Sequence, residues 1–371
     1  MSTNLPRIAI FLATSGHSGV DRIMKNLIHG LAAVQVPVDL LRIKGHGPHL
    51  PELPPGARSV RLGVSHVQGA LPALTKYLKS ERPFAMLSDK DRVNRTAILA
   101  RTISRTETKI AVRIGTTVSE NLRRRGLMDR LVQRLSMRLL YSMADAVLVP
   151  SSGAAEDLAL FARIPRHRIT VVKSPILTPE FEKLAGEPVE HPFFTEDMPV
   201  VLGAGELCSR KDFATLMRAF AILLKTTPAR LIILGEGRSR PALEALALEL
   251  GIKEAVSMPG FVPNPYPFMK KASLFVLSST CEGMPVVLVE AMAAGCPVVA
   301  TDCPSGPREV LAGGKYGALV PVGDPEALAK AMRRTLEAPQ KARNFAEATA
   351  PYRLEEAVRS YLAALGYPTH V

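Results

Sequence analysis

The chain has 371 residues, 47% apolar and 22% charged, with a formal net charge of +13. That length exceeds one ordinary hydrophobic core and predicts two domains of about 150 to 200 residues each. With aromatics at 5% and no Trp, and arginines interleaved with leucines rather than with stacking rings, the positive balance does not read as nucleic-acid binding.

Taken in chain order, residues 7–13 form a buried-strand candidate, followed by the loop Thr14–Arg22 and a helical pattern from about Val20 to Ala33. The loop lacks the G-x-G-x-x-G pattern, which disfavours a nicotinamide cofactor. Gly16 and Gly19 either let the backbone approach a phosphate or serve only the turn. Further apolar runs end near Leu41, Leu87, Val112 and Val149, each alternating with a helical pattern. Such alternation predicts an α/β domain, a parallel sheet covered by helices on both faces. Between residues 119 and 143, Arg130, Arg134 and Arg138 recur every fourth position beside the stripe Leu127, Leu131, Leu135, with Arg123, Arg124 and Arg125 just before. This is a basic amphipathic helix with two readings: attachment to an anionic membrane, or leucines packed on the sheet with arginines in water. Residues 1–185 hold 28 Lys+Arg against 14 Asp+Glu (+14), the remainder 19 against 20 (−1), so an anionic partner is expected for the first half alone.

The proline-rich stretch 174–199 reads as a linker. The strand–helix cycle then restarts at Pro199, with strands expected at 230–234, 255–258, 274–277 and 297–300. After about residue 338 the chain is helical, with a break at Pro351. The sequence predicts no signal peptide and no membrane span, and a cytoplasmic location. Cys208, Cys281, Cys296 and Cys303 lack paired metal-ligand spacing and read as reduced thiols filling small sites.

The densest signal runs from Ser278 to Ala300, where Glu282 and Glu290 are separated by seven residues. It reads as strand, polar loop with one acid, helix with a second acid, and strand. Helix starts attract anions because their first amides are unpaired, and flanking carboxylates suit a ligand with phosphates at one end and hydroxyls on both sides, such as a nucleotide sugar. With Glu-Gly-x-Pro, Glu-Ala-Met-Ala and Gly-x-Pro-Val-Val in register, the segment resembles the donor-site signature of retaining GT-B glycosyltransferases, the glycosyl transferases group 1 (glycosyltransferase family 4).

The resemblance implies two Rossmann-like doubly wound domains facing a cleft. These would be an acceptor-binding domain over 1–180, a nucleotide-sugar donor domain over 190–345, and a C-terminal segment 346–371 returning to the first domain. It implies that Glu282 holds the transferred sugar and Glu290 the donor ribose. Gly283, Met284 and the amides near Val286 and Val287 would meet sugar and phosphates, with Gly16 and Gly19 beside the diphosphate. Gly235, Phe261 and Val262 would frame the base. Lys211 matches the family's diphosphate-clamping lysine, but Glu206 stands where relatives often carry Arg, leaving Arg210 as the substitute cation. Arg113-Ile114-Gly115-Thr116 aligns with an Arg-x-His-Asn element and lacks its His; His17 is a nearby candidate. Asp302–Glu309 resembles a variant from bacterial surface-polysaccharide assembly.

Together these imply a hexosyltransferase moving sugar from a nucleoside-diphosphate donor, expected to be a UDP-sugar, to a lipid-linked or surface-glycan acceptor at the inner face of the cytoplasmic membrane. Arg123, Arg124, Arg125, Arg130 and Arg134 are the expected acceptor or membrane contacts. No cofactor is expected, nor a metal, on the reading that no Asp-x-Asp metal motif is present and that Lys211, Arg210 and helix amides can neutralise a diphosphate. A sugar-nucleotide epimerase and a nonreacting sugar-nucleotide-binding partner protein are the alternatives.

Overall fold

Short aliphatic runs bounded by glycine, proline and polar residues become parallel strands. The computed structural model describes residues 5–14, 16, 19–123, 125–337 and 345–368. It divides into Met1–Ile176 with Tyr352–Val371, and Leu177–Pro351.

The first unit contains β1 (Ile8–Phe11), β2 (Val38–Arg42), β3 (Ala57–Arg61), β4 (Ala85–Asp89), β5 (Lys109–Arg113), β6 (Ala146–Val149) and β7 (Ile169–Val171). They form one sheet in the order β3-β2-β1-β4-β5-β6-β7. All four residues of β1 are buried, as expected of a strand covered on both faces. Strand order reverses beside β1, so the Gly16 loop leaves the carboxyl edge at a topological switch point, the usual ligand position in such sheets. The helix Leu354–Ala364 packs against the helix Gly19–Ala33. Gly30 permits the contact: a Cβ there would lie 2.5 Å from Val358 Cγ2. Tyr361 Oη accepts from Arg113 Nε at 2.9 Å and Tyr367 Oη donates to the Pro6 carbonyl at 2.7 Å.

The second unit contains β8 (Val200–Ala204), β9 (Arg230–Leu234), β10 (Val256–Gly260), β11 (Leu274–Leu277), β12 (Val298–Thr301) and β13 (Ala318–Val320). Their order is β10-β9-β8-β11-β12-β13. Its switch point falls between β8 and β11, so the loops after these two strands are neighbours. The helix Phe345–Thr349 also belongs to this unit, where Tyr316 Oη donates to Glu347 at 2.7 Å. Both sheets are the doubly wound architecture that the strand–helix alternation predicts.

Candidate active site

The loops after β8 and β11 are sewn together. The Ser278 hydroxyl donates to the Lys211 carbonyl at 2.8 Å, and the Thr280 amide donates to the Arg210 carbonyl at 2.8 Å. This fastening brings two cations onto one carboxylate: Lys211 Nζ lies 2.7 Å from Glu282 Oε1 and Arg210 Nη1 lies 3.0 Å from Oε2. Ser279 Oγ donates to Oε1 at 2.7 Å. Glu282 and Lys211 are both buried. Burial pushes the Glu282 carboxyl up, but the Lys211 and Arg210 charges, with hydrogen bonds from Lys211 and Ser279, outweigh it and hold the group below the usual range. Two cations and one carboxylate leave a formal +1 here. Glu206, the acid standing where relatives often carry Arg, is exposed and near enough to Arg210 to act on its charge. Arg210 therefore supplies the second cation beside Lys211.

Gly283 and Met284 lead into the helix Val286–Ala293, which has Pro285 at its N-cap and no side-chain cap. Val286 and Val287 open the first turn four and five residues after Glu282, where the dipole adds positive potential; the Val286 amide donates to the Met284 carbonyl at 3.0 Å. Glu290 sits on the same helix, fully buried, and accepts from Tyr266 Oη at 3.3 Å. An apolar helix gains nothing by burying a carboxylate without a polar role. The Tyr266 ring is fixed against Phe181, with centroids 4.6 Å apart.

Gly235 has a structural duty. At φ +138° it abuts the end of β8, where a Cβ would lie 1.9 Å from the Gly205 carbonyl oxygen. Phe261, just past β10, leaves its ring largely exposed, and Val262 is half-buried. Burial pushes the Cys296 and Cys303 thiols up to about 12, the behaviour of inert space-filling groups.

In the first unit, Gly16 has φ +91° and the His49 ring covers it, so a Cβ there would be 2.4 Å from His49 Cδ2. A bridge between Thr14 and Gly47 fixes this approach. Gly19 begins the following helix, in open space. His17 and Arg124 lie outside the described residues. Arg113, at the missing-His element, is buried between Asp89, Tyr361 and Ser174. Its guanidinium would be 3.1 Å from a Cβ at residue 115, which explains the glycine there. Asp89-Lys90-Asp91 has the spacing of an Asp-x-Asp metal motif, which corrects the expectation that the chain carries none. Asp89 is taken by Arg113, and Asp91 by Arg95, Gln133 and Tyr141.

The basic helix spans Leu127–Tyr141, and its buried residues are Met137 and Tyr141. Leu127, Leu131 and Leu135 are exposed, which overturns the reading that packs the leucine stripe on the sheet. Arg123 and Arg125 are exposed, Arg130 and Arg134 half-buried. Sequence reasoning missed Ser279, Tyr266 and His49. Ser279 was legible as a polar residue following an apolar strand; the other two carried no local signal.

Fold and site together define a GT-B glycosyltransferase scaffold. The Glycosyl transferases group 1 model matches residues 189–350, and the Glycosyl transferase 4-like domain model matches residues 18–174. The chain belongs to the glycosyl transferases group 1 family. It is similar to N-acetylgalactosamine-N,N'-diacetylbacillosaminyl-diphospho-undecaprenol 4-alpha-N-acetylgalactosaminyltransferase of Campylobacter jejuni, 32% identical over 67% of this chain and 65% of that protein. It is also similar to the lipopolysaccharide core biosynthesis glycosyltransferase LpsE of Rhizobium meliloti, 36% identical over 37% of this chain and 39% of that one. The matches thus span less than two thirds of these relatives' lengths. Among solved structures, HepE of Anabaena in complex with UDP-glucose has a TM-score of 0.76 at 18% identity, covering 97% of this chain and 99% of that one. The apo form of the lipopolysaccharide outer core galactosyltransferase WaaB has a TM-score of 0.73 at 21% identity, with coverages of 97% and 99%.

Proposed function

We propose that the protein is a retaining glycosyltransferase. It moves a hexose from a UDP-sugar to a lipid-linked saccharide of a surface glycan, at the cytoplasmic face of a membrane. The observation that carries this reading is the cluster of buried Glu282, Lys211 and Ser279 with half-buried Arg210, at the entrance to the helix bearing Glu290. The arriving diphosphate competes with Glu282 for Lys211 and Arg210, freeing carboxylate oxygens to accept from the sugar's hydroxyls. As the anomeric carbon–oxygen bond breaks, the electron pair leaves with the diphosphate. The two cations and the start of the helix at Val287 stabilise that charge without a metal. The acceptor hydroxyl attacks from the leaving-group face, and its proton passes to the departing phosphate. Glu290 takes the donor ribose, and Phe261 and Val262 border the base.

The donor assignment draws support from the likeness to a protein crystallised with UDP and with UDP-glucose. The acceptor assignment draws on relatives named for diphospho-undecaprenol and lipopolysaccharide-core substrates. The positive first half suits an anionic acceptor. The comparisons favour neither an epimerase nor a nonreacting partner. Among the described residues no helix is long and apolar enough to cross a membrane. The test is incubation with a panel of UDP-sugars and a short-chain lipid diphosphate saccharide, with the product's anomeric configuration read by NMR. An α-linked product from an α-donor is expected; an inverted linkage, or no transfer from any donor, overturns the reading.

A further inference from the structure

The helix Leu127–Tyr141 uses the wrong face for a helix whose only task is to cover a sheet. Leu127 is 82% exposed, Met128 72%, Leu131 49%, Val132 56%, Leu135 48% and Leu139 66%. At 100° per residue these six side chains fall within an arc of about 140° that includes neither Met137 nor Tyr141. The inner face holds the helix in place through polar contacts: Gln133 Nε2 donates to Asp91 at 2.7 Å, and Tyr141 Oη donates to Asp91 at 3.0 Å. Leu140 packs against the core, and anchorage does not consume Leu127, Leu131, Leu135 and Leu139.

Charge selects what covers them. Residues 123–138 contain six arginines and a single acid, Asp129; Arg134 and Arg138 lie at one border of the apolar face, and Arg130 is one step further round the helix. A second copy seated on this surface would bring arginine rows together. An anionic bilayer meets both requirements, because apolar side chains enter the acyl boundary while guanidinium groups stay among the headgroups.

We infer that the helix Leu127–Tyr141 lies in the plane of an anionic lipid surface and docks the protein there, with Leu127, Leu131, Leu135 and Leu139 immersed. The inference deepens the proposed function, and its biological purpose rests on the lipid-linked acceptor assigned there. Docking would deliver such an acceptor without a membrane-spanning segment.

The test is co-sedimentation with vesicles of phosphatidylcholine, alone or mixed with phosphatidylglycerol, at low and high salt. Wild-type protein should bind the mixed vesicles and release as salt rises. The double variant L131S/L135S should lose roughly tenfold or more in partition. It should keep the wild-type circular dichroism spectrum and melting temperature, because both side chains face solvent, and also its transfer rate to a water-soluble acceptor. R130Q/R134Q/R138Q should lose binding to the mixed vesicles and its salt dependence. The inference is overturned if wild type ignores anionic vesicles, if the leucine variant sediments equally, or if the leucines prove to hold a dimer instead. Vesicle binding without any sugar transfer would refute the proposed function and leave docking standing. Transfer to the soluble acceptor without vesicle binding would do the reverse.

Discussion

Replacing Glu282 by Gln separates two things that its carboxylate does. It engages two cations, at 2.7 and 3.0 Å, and in the proposed reaction it meets the sugar. Unit charges about 4 Å apart attract by about 4 kcal/mol at an effective dielectric of 20. Desolvation consumes most of such a gain at a buried site. Any diphosphate that uses Lys211 and Arg210 must draw them away from Glu282. Removing the carboxylate abolishes that competition, so UDP, which has no sugar to lose contacts with, should bind E282Q about three- to tenfold more tightly, equivalent to about 0.7 to 1.4 kcal/mol. Turnover with the UDP-sugar should fall by a factor of at least about 100. The variant should also be less stable by about 1 to 3 kcal/mol, because Lys211 stays buried beside a neutral amide. The pH dependence gives a further check. Since the folded-state carboxyl is held below 4.5, its contribution is present above that pH and is lost as pH falls through the depressed folded value; E282Q should lack this component. Isothermal titration with UDP, steady-state transfer and urea unfolding measure the three effects. Weaker UDP binding by E282Q would refute the placement of Lys211 and Arg210 on the diphosphate.

Three further substitutions test the scaffold. Gly235→Ala drives a methyl to 1.9 Å from the Gly205 carbonyl oxygen at φ +138°, and should cost about 3 kcal/mol or more in urea unfolding; a loss below 1 kcal/mol would show that β8 and β9 yield easily. Tyr361→Phe removes the 2.9 Å partner of fully buried Arg113, and should lower stability by about 1 to 3 kcal/mol while leaving UDP affinity unchanged, which calorimetry on both counts would check. Asp39, buried on β2, is bound by Arg7, Arg58 and Tyr77. Burial pushes its carboxyl up, but these partners outweigh it and hold it below 3.8. Its stabilisation should persist above about pH 4 and vanish as pH falls through the depressed value, so Asp39→Asn should flatten the acid limb of the unfolding curve.

Much of the architecture was legible because a parallel sheet needs contiguous aliphatic runs, and β1, β9 and β11 are little else. β3, Ala-Arg-Ser-Val-Arg at the sheet edge, escaped notice because no residue of this edge strand is buried, which permits polar side chains. The seven-residue spacing between Glu282 and Glu290 was visible because a loop and the helix after it are local. Ser279 and Lys211 could be suspected from their positions after strands, whereas Tyr266 and His49 reach their places only through packing.

By itself the sequence determined what depends on near neighbours: strand runs, the amphipathic stripe of residues 127–141, the helix entrance after Glu282, and the excess of positive charge before residue 185. Tertiary structure decided which distant groups meet. Arg210 and Lys211 reach Glu282 across 72 and 71 residues because the strand order sets β8 beside β11. Arg113 finds Tyr361 across 248 residues because Gly30 admits the last long helix. Periodicity marked a leucine stripe without saying which side of the helix faces inward. That choice fell to Asp91, Met137 and Tyr141, since a helix turns toward the surface that can satisfy its polar groups as well as its apolar ones.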